Sequence, residues 1–149
     1  MRYIVNIGLV VAITIFIFSN SFDDYTASKC MSDTVSEIVL PHEYAISENV
    51  SLLVRKIAHL LEYAVLGISV MLSIKFKESI SKKLYAWALF YVLFIAVIDE
   101  HIQSFSDRIS STKDILLDFC GALIGFAIVI ITHYIYSKIK KKKRTGSGV

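Results

Sequence analysis

Arg55, His59 and Glu62 recur at i, i+4 and i+7, Asp99, Glu100 and Gln103 stand within five residues of one another, and Asp114 and Asp118 are one helical turn apart. These are side chains that move protons (His59, Glu62, Asp99, Glu100, Asp118) or hold a polar group in place (Arg55, Gln103, Arg108, Asp114). Their setting makes them conspicuous, because the segments that carry them are otherwise apolar. A charge near the centre of a bilayer costs roughly 2.5–3.5 kcal/mol even on the lenient insertion scale. A chain that keeps several of them pairs them, lines a wet cavity with them or uses them for chemistry.

The elements that position these residues follow from hydropathy. The chain has 149 residues, is 55% hydrophobic and has a mean hydropathy of +0.61, which excludes an ordinary soluble domain. Four stretches approach the roughly 17–25 residues needed to cross the hydrocarbon core: 3–22, 57–74, 84–102 and 115–136. Backbone groups in lipid must be satisfied within the span, and these runs lack the alternation of barrel strands. The expected fold is all-α, a polytopic four-transmembrane-helix bundle in a single domain over 1–144, with 145–149 as a flexible tail. The run 3–22 reads as a span rather than a secretory leader, because it is longer than a usual leader core. Cys30 lies in a loop and Cys120 in the last span, so no structural disulfide is expected.

Basic residues set the expected orientation. Arg2 precedes the first span, Lys75, Lys77, Lys82 and Lys83 join the second and third, and Lys138 to Arg144 follow the fourth. The connection 23–54 carries six acids against Lys29 alone. Both termini are therefore expected in the cytoplasm of a multi-pass cell-membrane protein. The lysine run reads as an anchor to anionic lipid, with no nucleic-acid partner. Trp87, Tyr85, Tyr134 and Tyr136 fit an inner aromatic belt. In the first long loop, Thr34-Val35-Ser36-Glu37 has capping-box spacing ahead of Val35, Ile38 and Val39, and a second start signal at Ser47 lets the second helix begin outside the bilayer.

Helical geometry then gathers the polar residues. Arg55, His59 and Glu62 share one stripe, Glu62 about 10 Å deeper than Arg55. Asp114, Asp118, Gly121 and Gly125 share another, in which the glycines form a Gly-x-x-x-Gly face for close approach of a second helix, of the same chain or of a neighbour, so the oligomeric state stays open. With alternating spans, the start of the second helix, the end of the third and the start of the fourth meet at one membrane face. The 99–114 connection adds Arg108, suited to a bidentate contact with phosphate or carboxylate.

Arg55-Lys56-Ile57-Ala58-His59-Leu60-Leu61-Glu62-Tyr63-Ala64-Val65-Leu66-Gly67 resembles the first signature of VanZ-like proteins. Asp99 to Arg108 followed by Asp114, Asp118 and Gly121 resembles the second, and the Phe18-Ser19-Asn20-Ser21 exit from the first span is also similar. The family often has Pro-Gly before the arginine, where this chain has Ser106-Asp107. The resemblance implies an association with lowered susceptibility to teicoplanin and related lipoglycopeptides.

Three readings remain open from the residues. In the first, an enzyme acts on a lipid-linked or cell-wall headgroup at the outer leaflet, with Arg55 and Arg108 on the anion and His59 with a carboxylate, Glu62 foremost, exchanging protons. In the second, the same residues bind an envelope lipid, a wall precursor or a lipoglycopeptide without turnover. In the third, the charges pair to hold the helices together, although buried ion pairs contribute little net stability. Membrane lipids are the expected partners and no cofactor is expected. His59, Glu62, Asp99, Glu100 and His101 offer metal-ligand atoms, but no His-Glu-x-x-His or clustered His spacing marks a zinc site, so none is expected.

Overall fold

The computed structural model describes residues 2–22, 30–31, 33–35, 48–75, 82–105 and 111–146. Arg108, Ser36 to Val39 and Ser47 lie outside them. Four long helices make up the fold: α1 (Arg2–Phe22), α2 (Glu48–Lys75), α3 (Lys82–Gln103) and α4 (Thr112–Gly146). Each contains a segment long and apolar enough to cross a membrane: Ile4–Phe22, Leu52–Ile74, Lys83–Gln103 and Thr112–Lys142. The all-α, four-span architecture is therefore as the sequence implies. The boundaries differ where polar residues continue a helix beyond the apolar run. α2 begins nine residues before Ile57, and α4 continues to Gly146 through the lysine run. Residues 30–31 and 33–35 are helical, and the Thr34 hydroxyl donates to the Cys30 carbonyl at 2.9 Å. That bond places Thr34 inside a turn, where the capping-box spacing had suggested a start.

The helix ends nearest the polar cluster are closed by local bonds. Ser111 caps α4: its carbonyl accepts from the Asp114 N–H at 2.9 Å, and its Oγ accepts from the Lys113 N–H at 3.3 Å. Asp114 stands in the first turn, where a carboxylate complements the helix dipole. α3 tightens at its end, with Phe105 N donating to the Ile102 carbonyl at 3.0 Å.

α2 packs against the three other long helices, while among the described residues α1 and α4 do not meet. The core contains Ile17 of α1, Tyr63 and Leu66 of α2, Val92 and Ala96 of α3, and Ala122 of α4. Ile4, Phe16, Trp87, Phe94, Leu116 and Ile130 point outward, as a lipid-facing surface requires. Trp87, Tyr134 and Tyr136 belong to that surface, with the Lys138 ammonium 4.9 Å from the Tyr134 ring centroid, whereas Tyr85 packs partly against the core. Cys30 and Cys120 are both free thiols.

The closest approach is between α2 and α4. A Cβ on Gly121 would run into the Leu60 carbonyl oxygen and lie 3.1 Å from the Leu60 carbonyl carbon. One on Gly125 would meet the Ala64 carbonyl oxygen and lie 2.9 Å from the Ile68 nitrogen. From the other side, a Cβ on Gly67 would lie 2.9 Å from the Ala122 Cα. The Gly-x-x-x-Gly face thus serves a helix of the same chain, and this seam sets the spacing of the side chains above it.

Candidate functional site

The polar residues gather where the end of α1, the start of α2, the end of α3 and the start of α4 converge. Asp99 is the centre of the arrangement and is fully buried. Ser21 Oγ donates to Asp99 Oδ1, and Gln103 Nε2 donates to Asp99 Oδ2 at 3.1 Å from the next turn of α3. Gln103 Nε2 also lies 3.5 Å from Ser21 Oγ. The hydroxyl of Tyr63, a residue without exposed surface, lies beside Asp99. Glu100 Oε1 accepts from the Ser111 N–H at 2.6 Å, so a carboxylate of α3 fixes the residue that caps α4. A capping box uses a glutamate of the helix itself for this bond; here it comes from the neighbouring helix.

A cleft of about 30 Å³ opens at this end, lined by Arg55, Lys56, His59, Glu100, Gln103, Asp114, Leu117 and Asp118. Its outer part carries an ion pair, Lys56 Nζ to Asp114 Oδ1 at 2.9 Å, whose partners are 50% and 32% exposed. One ring nitrogen of His59 and one carboxylate oxygen each of Asp99 and Asp118 lie within 4.8 Å of one another. These three come from α2, α3 and α4. Asp118 is 2% exposed, and its Oδ1 is buried with no hydrogen-bond partner. Among the described residues, His59, Asp99 and Asp118 form a group able to converge on a cation.

Of the residues singled out in the sequence, Arg55, His59, Glu100, Gln103, Asp114 and Asp118 line the cleft and Asp99 lies against His59 and Asp118. Glu62 does not line it. Its Oε1 accepts from Asn20 Nδ2 at 2.8 Å, and its side chain borders an apolar groove with Ala12, Ile13, Phe16, Leu61 and Val65. The shared stripe on α2 is wide enough that His59 faces α4 while Glu62, two turns in, faces α1. The carboxylates grouped with His59 within 4.8 Å are Asp99 and Asp118, and Glu62 is not among them. Asn20, Ser21, Lys56 and Tyr63 join the arrangement without having been singled out as site residues. The signal for the first two was a polar Asn20-Ser21 pair ending an apolar span. His101 is exposed and packs edge-on to Phe105, with ring centroids 5.0 Å apart.

The sequence model of the VanZ/LLP1 family matches residues 5–133, which reach into all four apolar segments and include the whole polar cluster, so the chain belongs to that family. No curated protein matches the chain. No solved structure matches it either.

Proposed function

We propose that this VanZ/LLP1-family membrane protein acts on the anionic headgroup of a lipid-linked or cell-wall precursor at the outer leaflet, and through it lowers susceptibility to teicoplanin or related lipoglycopeptides. The observation that carries the reading is the cleft itself, in which two cationic side chains, Arg55 and Lys56, share a wall with a histidine and a buried aspartate. A guanidinium holds an anion without titrating, and His59 beside Asp118 provides a base and an acid within reach of the same anion. At about 30 Å³ the cleft admits a water or part of a phosphate, so the remainder of a headgroup would lie across the mouth. The groove between α1 and α2 is apolar enough for an acyl chain and ends near Glu62 and Asn20. The lysine-bearing ends of the helices support a cytoplasmic placement of both termini, which puts the cleft outside.

The test uses the full chain in proteoliposomes with extracted envelope lipids and lipid-linked precursors, read by native mass spectrometry. Turnover predicts an altered headgroup, lost in Asp118→Asn with retention of the unaltered lipid, and weaker retention in Arg55→Ala. Selective retention with no altered headgroup in the parent protein would make the protein a binder, with resistance arising from masked target. Neither retention nor alteration would defeat the proposal.

A further inference from the structure

We propose that His59, Asp99 and Asp118 bind one divalent first-row metal ion, of the manganese, iron or zinc kind, at the floor of the cleft. The inference deepens the reading of the cleft given above, putting coordination of an ion in place of direct proton exchange by His59 and Asp118, and rests on that reading for the ion's role, although not for its binding.

The placement is the first reason. α2, α3 and α4 each contribute one ligand atom, and the three atoms lie within 4.8 Å of one another. Around an ion with ligand bonds of about 2.0–2.2 Å, tetrahedral ligand atoms stand about 3.4 Å apart. Asp99 is held in place, and side-chain rotation of Asp118, whose Oδ1 no hydrogen bond holds, covers the difference.

The second reason is independent of spacing. Asp118 is 2% exposed, its Oδ1 has no hydrogen-bond partner, and it belongs to the same trio of converging groups. A buried carboxylate oxygen without a donor is costly, and a cation supplies what no donor among the described residues does. The cluster is also rich in acids, since Asp99 and Glu100 are buried in the same place.

The surroundings of Asp99 match what a ligating carboxylate needs. Ser21 and Gln103 each occupy one lone pair of its oxygens and fix its plane, leaving further lone pairs for a metal. One imidazole with two carboxylates is a mixed nitrogen and oxygen donor set, which suits first-row divalent ions better than a thiolate-seeking or an all-oxygen one. The adjoining cleft has space for a water on the open coordination position. Such a water is a nucleophile at neutral pH, which the protein side chains of the cleft do not otherwise provide.

The experiment takes the untagged full chain in detergent, stripped with chelator and dialysed separately against Mn²⁺, Fe²⁺ under anaerobic conditions, and Zn²⁺. Metal content and thermal melting are read without any lipid substrate. About one ion per chain should be retained with at least one of them, with a higher melting temperature than the stripped protein. Asp118→Asn and His59→Gln should each weaken binding by at least about tenfold. His101→Ala, an exposed imidazole at the same face, should bind as the parent does. No retained metal in the parent, or retention that Asp118→Asn leaves unchanged, overturns the site. If a variant does not accumulate, the stripped and loaded parent proteins still decide, because equal melting temperatures and no bound ion refute binding. Stoichiometric metal with no headgroup conversion would instead count against catalysis and leave the site standing.

Discussion

Gly125→Ala is the most direct probe of what holds the cleft in shape. The added methyl carbon would strike the Ala64 carbonyl oxygen and lie 2.9 Å from the Ile68 nitrogen and 3.1 Å from the Ala64 carbonyl carbon. All three are backbone atoms of α2, so no side chain can rotate away. Restoring ordinary contact of about 3.4 Å to the nitrogen alone requires α2 and α4 to separate by about 0.5 Å, an overpacking expected to cost about 1–3 kcal/mol. That corresponds to roughly a 5- to 150-fold fall in the folded fraction relative to unfolded. The same separation moves Asp118 away from His59. Gly8→Ala is the matched control, because nothing lies within 4 Å of a Cβ there and alanine favours the helix. Thermal unfolding of the purified proteins in one detergent should show Gly125→Ala clearly below the parent and Gly8→Ala at or above it. Equal stability of the two variants would refute the seam.

Asp99→Asn keeps an acceptor for Gln103 and turns an amide to Ser21, whose hydroxyl can accept it while donating to the Ile17 carbonyl, so it should melt close to the parent; Asp99→Leu strands the Gln103 amide and should melt lower, by about 1–3 kcal/mol of stability. Glu62→Gln keeps an acceptor for Asn20 and should melt like the parent, whereas Glu62→Leu strands the Asn20 amide and should melt lower. Lys56→Gln should change stability by less than about 1 kcal/mol, because the pair with Asp114 is half exposed, yet it should weaken retention of an anionic lipid in proteoliposomes. For orientation, Lys82→Cys should resist an impermeant thiol reagent added outside intact cells in a Cys30→Ser, Cys120→Ser background, while Ser36→Cys should react; the opposite pattern would invert the topology.

The helices were legible because bilayer thickness forces long apolar runs, and a buried acid or histidine within such a run stands out. The stripe Asp114, Asp118, Gly121 and Gly125 could be assigned one face from spacing alone, and the structure turns that face onto α2. Glu62 was harder. Angular position on a helix gives a direction but not the neighbour that fills it, and only the position of α1 decides that Glu62 meets Asn20. The same holds for Ser21, an unremarkable serine at a span end that becomes a partner of Asp99 through packing of α1 on α3. The Glu100 bond to the Ser111 amide was invisible for a similar reason, since it joins two helices across a connection whose path spacing does not give.

The glycine seam also has a temporal side. Leu60 and Gly121 are about 60 residues apart, so at about 5–20 residues per second a ribosome delivers the second half of the seam roughly 3–12 s after the first. During that interval α2 already carries Arg55, His59 and Glu62 into the bilayer while Asp118 has not been made. Among the described residues, Asn20 of α1 is a polar partner made before α2, and it meets Glu62. A partner for Glu62 thus exists in the chain before Glu62 itself is made, whereas the cleft cannot be complete until Asp118 has been added.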